Sequence, residues 1–145
     1  MPISDQFFSE INYSDQYLKD VIYSDIDLRF SAHPISGDIS IAEDITAVKN
    51  ALKYLILTQY GERPFQPNFG SAVANQLFEP MQIDYVTISE SIRRSVQLNE
   101  PRVKIDDIIV SENLTDSNTL QIQISFRVKH FKEINILNLK LRRTR

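Results

Sequence analysis

Three glutamates stand beside proline-containing turns: Glu62 before Arg63-Pro64, Glu79 before Pro80 and Glu100 before Pro101. Two carboxylates at a set separation, one with a raised pKa, are the equipment for hydrolysing a glycosidic bond. The plainer assignment is that each glutamate pairs with a neighbouring arginine or caps backbone N–H groups. Other reactive groups are few. His33 and His130 are the only histidines, and neither has a Gly-x-Ser-x-Gly context that would make it part of a hydrolytic triad. Two histidines rule out a three-histidine metal site within one chain. The absence of cysteine removes disulfides, thiolate nucleophiles and cysteine-based metal centres. There is no glycine-rich phosphate loop. The basic end, Lys140-Leu141-Arg142-Arg143-Thr144-Arg145, has no aromatic platform interleaved with it, so it is a poor match to a nucleic-acid surface. Charges of this kind more often keep an open strand edge soluble. The residue chemistry points to a non-enzymatic structural or interaction domain with no cofactor, no metal and no nucleic-acid partner.

The elements that position these residues follow from periodicity. Over Asp44–Tyr60, Ile45, Val48, Leu52, Leu55 and Ile56 form one apolar stripe, which predicts a helix. Asp44 is a candidate N-cap, Ser40 with Glu43 fits a capping box, and Gly61 sits where a left-handed residue would end the helix. A helical turn or two is expected over Ser71–Phe78. A second long helix is expected from Asp84 to Leu98 on Tyr85, Ile88, Ile92 and Val96, stopped by Pro101. From Arg102 the period becomes two. Val103 and Ile105 alternate, then Ile108 and Val110 alternate in the opposite phase, so a bulge is expected near Asp106-Asp107. Leu120, Ile122, Ile124, Phe126 and Val128 mark one face of a half-buried antiparallel strand, and Ile134–Leu141 a last strand. The expected fold is α+β: two main helices on a small, mainly antiparallel three-stranded sheet, with an extended N-terminal arm. Residues 1–43 show no sustained period and read either as an arm packed on another molecule or as a local element covering the core.

Composition bounds the class. The 145 residues suit one domain, with 1–22 read as an extension and 23–145 as the domain. No apolar run approaches about 18 residues, so no spanning helix or membrane insertion is expected. The N-terminus lacks the basic and apolar regions of a signal peptide, so synthesis in a cytoplasm is the expectation. Charge is uneven: residues 1–44 hold nine acids against two bases, net −7, whereas 45–145 hold ten acids against fourteen bases, net +4. Such a chain suits different partners at its two ends. Glycine is scarce at 3, and Gly61 and Gly70 bracket a single stretch that also holds Pro64 and Pro67.

That stretch carries the most specific pattern. Leu57-Thr58, then Gly61-Glu62-Arg63-Pro64-Phe65, Phe69-Gly70, Leu77-Phe78-Glu79-Pro80 and Asn99-Glu100-Pro101-Arg102 follow one another in order. Upstream stands Tyr23-Ser24-Asp25-Ile26-Asp27. Together they resemble the baseplate wedge family of contractile phage tails, gene product twenty-five-like and also called lysozyme-like, with relatives in type VI secretion. The resemblance covers roughly residues 23–143. It implies a structural place in the virion's inner tail baseplate, with wedge proteins, the sheath protein and tube or hub proteins as partners. It further implies wedge attachment through Glu100, Pro101 and Arg102. The signature loop, Gly61, Glu62, Arg63, Pro64, Phe65 and Gly70 with Phe78 and Glu79, is assigned to architecture, with Phe65, Phe69 and Phe78 filling the space beneath it. The last strand, with Ile136, Leu139, Lys140, Leu141 and Arg142, is assigned to sheath initiation by strand addition. Two alternatives stand beside this reading. One is a type VI secretion or tailocin subunit. The other is a muramidase, which requires cell-wall cleavage that is lost when Glu62, Glu79 or Glu100 becomes glutamine.

Overall fold

The computed structural model describes residues 21–27, 29–77, 84–113 and 116–142. The expectations placed on residues 1–20, on Phe78 and Glu79, and on Arg143 and Arg145 lie outside the described residues.

The first helix, α1 (Asp44–Leu57), buries Ala47, Val48, Leu52, Leu55 and Ile56. Its start differs from both expected caps. The N-cap is Glu43, which makes no side-chain cap bond. Asp44 adopts a left-handed φ of 48° and turns its carboxylate back, so that Oδ1 accepts from the N–H groups of Ile22 and Tyr23 at 3.0 and 3.4 Å. A cap bond contributes about 1 kcal/mol, and each of the four large side chains on the buried stripe about 1.5–3 kcal/mol, so burial carries the helix without a cap. The helix also ends earlier than Gly61. Thr58 is extended and its carbonyl accepts from Ser71 N–H at 2.8 Å, while Ser71 Oγ donates to the Ile56 carbonyl at 2.6 Å. These long-range bonds draw the chain out of the helix before the glycine is reached.

Upstream of α1, β1 (Ser24–Ile26) and β2 (Ile41–Glu43) pair antiparallel as a ribbon that packs on α1, with Ala42 buried. This described part of the arm is a local element against the domain. A short helix, α2 (Val73–Leu77), buries Val73 and Leu77. The next, α3 (Tyr85–Asn99), buries Ile88, Ile92, Ser95 and Val96.

The expected Asp84 cap forms: Oδ1 accepts from Val86 N–H at 3.0 Å and Oδ2 from the Thr87 hydroxyl at 2.5 Å. The Thr87 hydroxyl first, and the Val86 N–H second, hold the Asp84 carboxyl below its ordinary 3.8. A folded pKa below the unfolded one adds stability that is present above the unfolded value and lost as pH falls through the folded value. Asp84→Ala is therefore expected to lower the thermal midpoint at neutral pH. The gap from the parent chain should narrow as pH drops below 3.8; a gap unchanged down to strong acid would contradict the cap's charge contribution.

β3 (Val103–Asn113), β4 (Asp116–Val128) and β5 (Ile134–Arg142) form an antiparallel meander in the order β3-β4-β5. The pairing slips between Ile105 and Asp107, which is the expected bulge. Asp106 at the bulge meets Arg127 on β4, whose Nε donates to Oδ2 at 2.9 Å. The slip brings Val103, Ile105, Ile108 and Val110 onto one face despite their opposed phases. That face and Leu120, Ile122, Ile124, Phe126, Val128, Leu137 and Leu139 meet α1 and α3, so the helices cover one side of the sheet and, among the described residues, leave the other uncovered. Among the described residues, no helix is long and apolar enough to cross a membrane.

Candidate functional site

The corner after α3 is built by backbone closure. Glu100 N–H donates to the Val96 carbonyl at 2.8 Å, Val103 N–H to Glu100 at 3.1 Å, and Lys129 N–H to Arg102 at 2.8 Å. Pro101 fixes φ within this turn, so Glu100 and Arg102 stand on a rigid connection. Arg102 grips Glu100 bidentately: Nε donates to Oε1 at 2.5 Å and Nη2 to Oε2 at 2.7 Å. The Glu100 side chain is only 10% exposed, that of Arg102 36%. The Glu100 carboxylate is the first cause that pushes the Arg102 guanidinium above its ordinary value, against a smaller opposing effect of burial. The guanidinium also lies 5.2 Å from the Tyr23 ring centroid, and that ring packs at 6.4 Å from Phe131 and from His130. Tyr23 itself is placed by Asp44, whose N–H donates to the Tyr23 carbonyl at 2.7 Å.

The Gly61–Gly70 loop is a series of turns. Gly61 (φ 84°) donates to Pro67 at 2.9 Å, and Glu62 Oε2 accepts from Gln59 N–H at 2.9 Å. Arg63 lays its guanidinium 3.8 Å from the Phe69 ring centroid. Phe69 is half-buried against the core, but Phe65 is 97% exposed. The expectation that Phe65 fills the space beneath the loop is thus corrected. The turn closed by Gln66 N–H on the Arg63 carbonyl, at 3.2 Å, carries Pro64 and Phe65 at its outer corner, and Phe69 with Arg63 occupies the inner side.

Gly70 has a second role beyond its turn. At φ 126°, a Cβ there would lie 2.6 Å from the Thr58 carbonyl oxygen. The buried Ser95 hydroxyl donates to the Gly70 carbonyl, so α3, the loop and the end of α1 meet at this one backbone contact. Sequence reading missed Ser71, Ser95, Tyr23 and Asp44 as organisers. Ser95 had a signal, a hydroxyl on the stripe that also holds Ile88 and Ile92, while Asp44 was expected only as a helix cap and Tyr23 only as part of the upstream pattern.

Loop and corner share a cleft of about 320 Å³. Arg63 and Phe69 come from the loop, Asn99 and Glu100 from the corner, Ala51, Tyr54 and Leu55 from α1, and Asp25 from β1. Motifs far apart in the sequence thus line one surface. Both oxygens of Glu100 are held by Arg102, and Glu62 accepts from the Gln59 backbone N–H. The last strand presents two faces. Leu139 is buried and Leu141 half-buried toward the core, while Ile136, Lys140 and Arg142 are exposed on the other. Among the described residues, β5 pairs with β4 along one side and presents its other backbone edge unpaired.

Comparison with known proteins places this geometry. The sequence profile of the family described as "Baseplate wedge protein gp25" matches residues 42–132, which includes the loop and the Glu100–Arg102 corner and stops before β5. The baseplate wedge protein gp25 of Enterobacteria phage T4 is 37% identical over 95 residues, 63% of this chain and 69% of that protein. Among solved structures, a chain of the anti-feeding prophage baseplate superposes with a TM-score of 0.64 at 22% identity, covering 77% of this chain and 89% of that one. A putative tail lysozyme from Geobacter sulfurreducens gives 0.60 at 22% identity, covering 68% and 89%. These two likenesses speak for the fold.

Proposed function

We propose, from the premise that this chain belongs to the baseplate wedge protein gp25 family, that it is a structural component of a phage tail baseplate which attaches to the wedge through the Glu100–Arg102 corner and starts the sheath on β5. The observation that carries the sheath reading is the edge of β5, unpaired among the described residues, in a three-stranded antiparallel sheet. An edge of nine residues offers a register of N–H and C=O groups to an incoming strand, and its Lys140 and Arg142 disfavour self-pairing while attracting an acidic arm. Wedge proteins and the sheath protein are the partners this reading names, with tube or hub proteins as neighbours. The chain works without catalysis: Glu100 is clasped by Arg102, and the lysozyme name belongs to the Geobacter protein.

Removing β5 outright would strip Leu137 and Leu139 from the core, so the test keeps the strand and changes its charge. Lys140→Glu with Arg142→Glu alters two exposed side chains. Baseplates carrying both changes are expected to incorporate the protein normally and fail to grow sheath, as counted by electron microscopy. Normal sheath growth on such baseplates would sink the strand-addition reading.

A further inference from the structure

The start of the chain enters the domain beside the beginning of β5. Of the two long helices, α3 packs on β3 and α1 on β5, and the β1–β2 ribbon packs on α1. Just before β1, the Tyr23 ring lies 6.4 Å from that of Phe131, which stands in the turn leading to Ile134 and β5. Residues 1–20 therefore join the domain next to the strand whose outer edge is unpaired among the described residues.

β5 is graded along its length. Ile134 and Ile136 are exposed at its start, whereas Lys140 and Arg142 are exposed toward its end, with no ion pair among the described residues. The leading segment carries the complementary grade when it is read backwards from Val21. Leu18 and Tyr17 come first, then Asp15 and Glu10, and its four acids stand against Lys19 alone, net −3. Between Ile3 and Asp20 there is no proline or glycine, so every residue keeps a backbone N–H to donate. Ile11, Tyr13 and Tyr17 are residue types that strands favour.

The two gradients match in one direction only. A segment that reaches the domain beside Ile134, with its earlier residues toward Arg142, runs antiparallel to β5. Apolar side chains then meet apolar ones and acids meet bases. Length is sufficient: a nine-residue strand spans about 30 Å, and twenty extended residues span about 65 Å.

We propose that residues 1–20 pair antiparallel along the β5 edge of the same molecule when no partner occupies it. The covalent tether sets an effective concentration in the millimolar range, so a pairing too weak to form between separate molecules holds within one. The arm neutralises Lys140 and Arg142 and covers a row of backbone groups that would otherwise recruit foreign strands. It shares its edge with the sheath reading, under which an incoming sheath strand displaces it.

Amide hydrogen exchange of the full 145-residue chain, resolved by NMR, tests the pairing. The β5 N–H groups that point away from β4 are expected to exchange about tenfold faster in the variant Ile11→Pro with Tyr13→Pro than in the parent. Both prolines precede the described domain, so its core amides should keep their rates. Glu10→Lys with Asp15→Lys should also speed exchange, and adding Lys140→Glu with Arg142→Glu should restore protection. Protection should be independent of protein concentration, and a rise with concentration would assign the strand to a second copy and overturn the proposal. Outward β5 amides that exchange freely in the parent, or equally in the proline variant, overturn it too, as does a charge exchange that restores nothing. The readout involves no sheath, so its failure is distinct from normal sheath growth on charge-reversed baseplates.

Discussion

Gly70→Ala is expected to lower the free energy of unfolding by about 3 kcal/mol, measured by equilibrium urea denaturation. Two separate effects add. A left-handed φ of 126° strains any residue with a Cβ, by about 1–3 kcal/mol. The new methyl would also lie 2.6 Å from the Thr58 carbonyl oxygen and 3.1 Å from the Gln59 backbone, where relief requires moving main chain. Overpacking of that kind costs about 1–3 kcal/mol. Moving Thr58 disturbs its bond from Ser71 N–H, and moving Gly70 strips the buried Ser95 hydroxyl of its acceptor. Gly61→Ala is the internal comparison. Gly61 has a positive φ of 84° but nothing within 4 Å of an added methyl, so only the strain of about 1–2 kcal/mol applies. Equal losses at the two positions would refute the close-approach argument.

Arg102→Ala is expected to cost about 2 kcal/mol. Stranding a buried charge typically costs about 3–5 kcal/mol, and the figure is reduced here because the arginine side chain is 36% exposed and water can reach the vacated place. The cation also leaves the Tyr23 ring face at 5.2 Å, loosening the ribbon's first strand. Replacing both partners, Glu100→Leu with Arg102→Met, removes the stranded charge, so the double variant is expected to lie closer to the parent in stability than Arg102→Ala alone. The pair of variants separates two roles. If the corner only fixes the angle between α3 and β3, the stable double variant will enter baseplates normally. If it also grips a wedge partner, the double variant will fold and be excluded. Arg102→Lys keeps the charge, loses the bidentate fork, and is expected to fall between.

Much of the fold was legible because periodicity reports which side of an element faces a core. The β4 alternation named Leu120, Ile122, Ile124, Phe126 and Val128, and all are buried. The change of phase between Ile105 and Ile108 announced the bulge at Asp106. Less legible was where α1 stops. Local rules favoured Gly61, yet bonds from Ser71 to Thr58 and Ile56, more than a dozen residues away, ended the helix at Leu57. Phe65 was misplaced for a related reason: aromatic character favours burial, but the paired turns around Pro64 and Pro67 decide which aromatic faces inward.

The sequence by itself determined the element types, the buried faces, the opposed charges of the two ends, and the Gly61–Gly70 and Glu100–Arg102 patterns that mark the family. These are properties of neighbours along the chain, where spacing of three, four or two residues is sufficient. Only the tertiary structure decided that the Glu100–Arg102 pair is nearly buried on the glutamate side, that loop and corner line one cleft, and that Gly70 passes against the Thr58 carbonyl. Desolvation and close approach depend on which backbone the fold sets alongside, and no local spacing carries that information. The scarce glycine at position 70 was visible from the outset; what it makes room for is main chain 12 residues earlier.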